Sequence, residues 1–166
     1  MDPASIIGII GSILSIADLI SKSIAKLSRL RSTYHNTPLQ VTMLIGQLHL
    51  IRAALDELEK WKKRGLDDGE RYQQLVGHIE SAMTCFCPLI ESLQRYLDKL
   101  DASLEAELNL TTRQDKLLLM WNESDIAMYL TLADRQVNAL NLLLQALQWY
   151  TGSHPRIVSI KILITA

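Results

Sequence analysis

The chain has 166 residues, of which 48% are hydrophobic and 21% charged, with a formal net charge of -1 at pH 7. At this length one domain with its own core is expected, and a disordered, charge-solvated chain is excluded. A charge so near zero offers nucleic acid no general attraction, and 7 Gly with 4 Pro leave little punctuation for a sandwich or barrel.

In chain order, Asp2 suits an N-cap and Pro3 a first helical turn. From Ala4 to about Arg31 only Gly8 and Gly11 interrupt the helix formers. Asn36-Thr37-Pro38 ends this segment, because proline pushes the residue before it out of the α region. Its first part, Ala4 to Ala17, carries no charge over 14 residues, short of the roughly 20 that a bilayer crossing needs. Ile6, Ile9, Ile10, Ile13 and Ile16 make an apolar face, opposite a small one of Ser5, Gly8, Ser12 and Ser15. Lys22, Lys26, Arg29 and Arg31 follow, with no acid between Asp18 and Asp56. An apolar helix running into a basic amphipathic stretch is the pattern of a membrane-engaging element. It is equally the pattern of a central bundle helix. With no Lys or Arg before Lys22, a signal peptide is not expected.

A second helix is expected from Leu39 to Arg64, its core face being Val41, Leu44, Ile45, Leu48, Ile51, Leu55 and Leu58. Gly65 and Asp67-Asp68-Gly69 supply a turn. The third stripe is Tyr72, Leu75, Ile79, Met83, Phe86, Ile90, Leu93, Leu97 and Leu100, interrupted by Pro88, where a kink is expected. Asp101 to Leu110 is less regular and reads as a loop. Thr112-Arg113-Gln114-Asp115 can cap a short helix reaching Trp121. Asn122 to Asp125 then either caps a new helix or forms an exposed turn of one longer helix. The last stripe is Ile126, Leu130, Ala133, Val137, Leu140, Leu144 and Leu147, closed by Gly152 and Pro155. The fold class is therefore all-α, a bundle of about four long helices over 1–152. Residues 153–166 form a short apolar, non-helical tail in which Val158, Ile160, Ile162 and Ile164 alternate as in a strand.

Chemistry-bearing motifs are sparse. Neither GxxxxGK[ST] nor GxGxxG nor GxSxG occurs. His35, His49, His78 and His154 are scattered, and His78 with Cys85 makes half a zinc ligand set at most. Cys85 and Cys87, two apart on a helix, point to different sides and do not pair, so a reducing, cytoplasmic setting is expected. Asn109 and Asn122 sit in glycosylation patterns that have no meaning without secretion. Lys60-Trp61-Lys62-Lys63-Arg64 sets four cations round an aromatic, which suits nucleic acid or anionic lipid; with Asp67, Asp68 and Glu70 following, it reads rather as cations at a helix C-terminus with Trp61 packed down. These residues name no catalytic set, cofactor, metal or small-molecule substrate, and the chain is read as a non-enzyme.

The opening Met1-Asp-Pro-Ala-Ser-Ile-Ile-Gly-Ile-Ile-Gly-Ser-Ile13 resembles the start of fungal N-terminal domains carried by STAND-type NOD-like receptors, the HeLo-like group. Gln40 to Trp61 agrees, as do Leu118-Leu119-Met120-Trp121-Asn122-Glu123 and Ala139-Leu140-Asn141-Leu142-Leu143-Leu144-Gln145-Ala146-Leu147. The resemblance implies a helical effector or signalling bundle acting in regulated cell death. Protein partners or self-association would accompany it, and its first helix, mapping onto Ala4 to Ile20, would engage an anionic membrane on activation. Its candidate residues are Ile6, Ile9, Ile10, Ile13, Ile16, Lys22, Lys26, Arg29 and Arg31. Related domains belong to proteins of secondary-metabolite clusters such as the azaphilone-pigment cluster, which implies the alternative of a helical accessory or scaffold protein. These 166 residues hold neither a nucleotide-binding domain nor a repeat array, so a stand-alone domain, truncated product or fragment is expected.

Overall fold

The computed structural model describes residues 3–33, 39–63, 70–105 and 123–153, all of them helical. Four long helices result: α1 (Pro3–Thr33), α2 (Leu39–Lys63), α3 (Glu70–Glu105) and α4 (Glu123–Ser153). Among the described residues the fold is thus an all-α bundle. Pro3 and Pro38 stand where proline is tolerated, in a first turn and just before a helix start.

α1 packs against α2 and α3, and α4 packs against the same two, so the order around the bundle is α1, α2, α4, α3. Consecutive helices α2 and α3 lie on a diagonal. Helix directions follow from the side chains that meet. Ser23 meets Gln94, Lys26 meets Asp98 and Arg29 meets Asp101. Both partners advance together, so α1 and α3 run parallel. Arg52 of α2 reaches back to Ala17 and Ser21, as expected of an antiparallel hairpin closed by residues 34–38. Tyr129 meets Ser92, at the level of Arg52, and Asp134 meets Gln47, one to two turns along. α4 therefore runs alongside α2 in the opposite direction.

The core is built from the stripes. All seven expected positions of α2 are buried, joined by Ala54 and Trp61. On α1 the buried row is Ile13, Ile16, Ala17, Ile20, Leu27 and Leu30, with Ser23 completely enclosed among them. Ser23 satisfies its hydroxyl by donating to Gln94 Oε1 at 2.9 Å, as a buried polar group must. On α4 the row spaced by seven, Ile126, Ala133, Leu140 and Leu147, is buried, while Leu130, Val137 and Leu144 are only partly covered. The inner face of α4 is thus centred on this row and extends to Tyr129 on the side away from Leu130, Val137 and Leu144.

Two expectations need adjusting. The loop expected from Asp101 begins later, because α3 continues to Glu105 with Leu104 buried one turn after Leu100. Pro88, by contrast, stands inside α3 without ending it, as expected; it is exposed, so water can serve the carbonyl that its missing N–H leaves free. α4 takes in Ser153, the first residue of the expected tail. The remaining tail residues, 154–166, lie outside the described residues, as does the short helix expected between Thr112 and Trp121. Leu140 is 1% exposed whereas Leu144 is only partly buried. Leu140→Ala should therefore lose about 2–5 kcal/mol in urea unfolding, and Leu144→Ala clearly less.

Candidate functional site

The candidate residues lie on α1, and the bundle treats its two halves differently. In the second half a ladder of polar contacts binds α1 to its neighbours. Ser23 donates to Gln94, Lys26 pairs with Asp98 and Arg29 with Asp101, all on α3. From the other side Arg52 Nη1 donates to the Ala17 carbonyl at 2.8 Å and to Ser21 Oγ at 2.7 Å. Its Nε donates to Asp56 at 3.1 Å, which aims the guanidinium. Ser21 Oγ donates in turn to the Ala17 carbonyl at 2.8 Å. α1 is thus held by α2 at Ala17 and Ser21 and by α3 from Ser23 to Arg29.

Nearer the N-terminus the packing opens. A cleft of about 450 Å³ lies between α1 and α3, lined by Gly11, Ser12, Ser15 and Ile16 on one wall and by Glu80, Met83, Thr84 and Cys87 on the other. The small residues of α1 produce it: glycine and serine cannot fill the gap that the parallel register leaves opposite Met83 and Cys87. The register also sets Ser15 level with Cys87.

Of the apolar candidates, Ile13 and Ile16 are core residues at 2% and 1% exposure, with Ile20 beyond them at 0%. Ile6, Ile9 and Ile10 belong to α1, but their side chains lie outside the described residues. Of the basic candidates, Lys22 pairs with Asp18 on α1 itself at 2.6 Å, Lys26 and Arg29 pair across to α3, and Arg31 is exposed. The acid-free stretch of α1 is therefore not an uncompensated cationic surface. Its counter-charges arrive from α3, some 72 residues along the chain. Nothing local announces such pairs. The Lys60 cluster reads as expected where it is described: Lys60 donates to Glu57 at 2.7 Å and Trp61 is 7% exposed.

Reactive groups are few. His78 and Cys85 are both exposed. Among the described residues no three of His, Cys, Asp and Glu gather to hold a metal ion. Cys87 faces the cleft and donates to Glu91 Oε1 at 3.4 Å. Burial, then the hydrogen bond to Glu91 and the negative charge of that carboxylate, push the Cys87 thiol up from its ordinary pKa. This opposes nucleophile activation, which needs the thiolate. Tyr129, unremarked in the sequence, is buried with its hydroxyl 3.1 Å from Ser92 Oγ and its ring 5.8 Å from that of Tyr96. Its signal lay in its spacing, three residues after Ile126 and four before Ala133, both buried.

Comparison of the chain with family models, with curated proteins and with solved structures found no match.

The two cysteines provide a readout of the cleft. At neutral pH a thiol reagent should modify exposed Cys85 well before Cys87. Because the folded thiol of Cys87 is raised, its labelling rate should keep climbing at pH values where an ordinary thiol has levelled off. Peptide mass mapping over a pH series checks both.

Proposed function

We propose that the protein is a non-enzymatic effector or signalling module whose first helix can leave its seat and engage an anionic membrane, in concert with further copies or protein partners. The observation that carries this reading is the cleft beside Gly11, Ser12 and Ser15, which leaves one wall of α1 without close-packed neighbours. The resemblance of the Met1–Ile13 and Leu118–Leu147 stretches to HeLo-like domains of fungal NOD-like receptors supports it, with regulated cell death or incompatibility as the process and the cytoplasm as the resting location.

The energetics set the conditions. Exposing Ile13, Ile16 and Ile20 to water costs about 1.5–3 kcal/mol each, so release into solvent alone is unfavourable. A bilayer interface solvates the same side chains. The ion pairs of Lys22, Lys26 and Arg29 are solvent-exposed, and such pairs are worth roughly 0–1 kcal/mol each. Anionic headgroups attract each cation by about 1 kcal/mol, enough to compete. No helix among the described residues is long and apolar enough to cross a membrane, so one copy of α1 would lie in the interface.

A second reading, a helical accessory or scaffold protein of the kind encoded in biosynthetic clusters, is favoured by the near-complete burial of Ile13, Ile16 and Ile20. In that case α1 is permanently core. A tether across the cleft separates the two. In a Cys85→Ser background, Ser15→Cys places a second thiol level with Cys87, and a short cleavable dithiol-reactive linker joins them. Leakage of anionic vesicles by the unlinked protein, at least tenfold reduced by the linker and restored on its cleavage, is expected. Ile9→Glu should lower leakage while leaving the circular dichroism helical. Unlinked protein that neither binds nor permeabilises anionic vesicles would establish the scaffold reading.

A further inference from the structure

The helix directions leave one connection with a long way to go. α4 runs opposite to α2 and therefore parallel to α3, so the chain must travel back along the bundle between Glu105 and Glu123. With Tyr129 level with Ser92, Glu105 stands thirteen residues above that height and Glu123 six below. At 1.5 Å per residue the two ends are about 28 Å apart along the bundle. The 17 residues between them, 106–122, extend to about 56 Å at roughly 3.3 Å each, ample for a direct path. The shortest route is the outer groove between α3 and α4. Besides each other, these two touch only α1 and α2 respectively, so no described helix covers that groove.

The two flanks of α4 differ. Tyr129 marks its α3 side and Asp134 its α2 side. At 100° per residue, Asn138, Asn141 and Gln145 lie within about 40° of Asp134, and all are polar and exposed. Leu143, Leu132 and Ala139 lie about 40°, 60° and 80° beyond Tyr129, and all are apolar and half-buried. On α3, Leu89 and Ser103 fall within about 20° of Tyr96, and these three are half-buried too. The upper end adds an independent observation. Leu147 is 2% exposed, yet in this register it stands about five residues above the level of Glu105. Thr33 and Leu39, the ends of α1 and α2 on that side, come no higher. Leu147 is thus hidden from water beyond the ends of the other described helices, at the place where residue 106 leaves α3.

We propose that residues 106–122 occupy this groove, covering Leu147 and Leu143 where they leave α3 and passing Ala139 and Leu132 on the way down to Glu123. The composition suits the route. Leu108 and Leu110 come at the upper end, and the uncharged run Leu117-Leu118-Leu119-Met120-Trp121 comes lower, at the heights of Leu89 and Leu132. Burying the apolar side chains of segment and groove against each other removes both from water. The fixed ends choose this occupant over others. A second copy or a separate peptide would have to displace a segment already tethered at both ends, whose effective concentration is in the millimolar range. This side of the bundle is therefore an internal interface, closed to membrane and partner alike. It joins α3 to α4 whether or not α1 leaves its seat.

The test is a disulfide scan in the full chain carrying Cys85→Ser and Cys87→Ser. A single cysteine replaces each residue from Thr112 to Leu117 in turn, the part of the segment furthest from either tether. Each is combined with Leu132→Cys on the groove, or with Asp134→Cys on the opposite flank of α4 at nearly the same height. Under mild oxidation, read by peptide mass mapping, at least one position should bridge to Leu132→Cys about tenfold faster than any bridges to Asp134→Cys. The bridged protein should keep its helical circular dichroism and melt above its own reduced form. Comparable bridging to both flanks, or faster bridging to Asp134→Cys, would overturn the proposal. So would the absence of any bridge to Leu132→Cys in variants whose reduced forms are helical and melt cooperatively.

Discussion

Two parallel helices packed side by side bring like dipole ends together, and everything distinctive in this bundle follows from α1 and α3 being such a pair. Their C-terminal ends each carry partial negative charge. Asp98 and Asp101 on α3 add to it close to that helix's end. The compensation is supplied by α1, whose Lys26 and Arg29 meet those two carboxylates one turn apart. Ser23 and Gln94 complete the ladder from inside the core. With the ladder gone, the parallel register would have only apolar packing to define it, and apolar packing tolerates sliding by a turn. The polar contacts therefore specify alignment more than they add stability.

The same register has an opposite effect nearer the N-terminus. There it holds glycine and serine against Met83, Thr84 and Cys87, and a cleft opens. Clamp and cleft are thus two outcomes of one alignment, read at different points along α1. Arg52 marks the division: it grips the Ala17 carbonyl from the α2 side, just where the uncharged stretch ends. α1 is thus held by polar contacts in its second half and bordered by a cleft nearer its N-terminus, with Ile13, Ile16 and Ile20 buried between.

Much of this bundle was legible as spacing. The α2 face was correct at each named position because its neighbours on both sides are also helices of the same period, and burial then follows the 3.6-residue turn. Leu104 and Tyr129 were missed for related reasons. After Leu100 only Leu104 continues the stripe, with Asp101 and Ser103 in between, and on α4 the spacing alone does not choose between Leu130 and Tyr129 as the second flank of the buried row. The candidate site was half legible. Its apolar and basic residues could be named from the chain, but their roles depended on Gln94, Asp98 and Asp101. Contacts across some 72 residues leave no local periodicity. The cleft was hidden as well, since it depends on which small residues oppose which large ones, and that is decided by register.

The distance along the chain between α1 and its partner has a kinetic side. The α1–α2 hairpin closes through residues 34–38 alone, whereas the α1–α3 ladder must close a loop about twice the length of either helix. Loop-closure entropy and contact order both place that step later. During synthesis the order is stricter still, because Asp101 is translated 72 residues after Arg29, an interval of roughly 4–14 s at about 5–20 residues per second. Throughout that interval Ile13, Ile16 and Ile20 have only α2 to cover them. The most apolar of the described helices therefore spends the first seconds of its existence half-sheltered, before α3 arrives to enclose it.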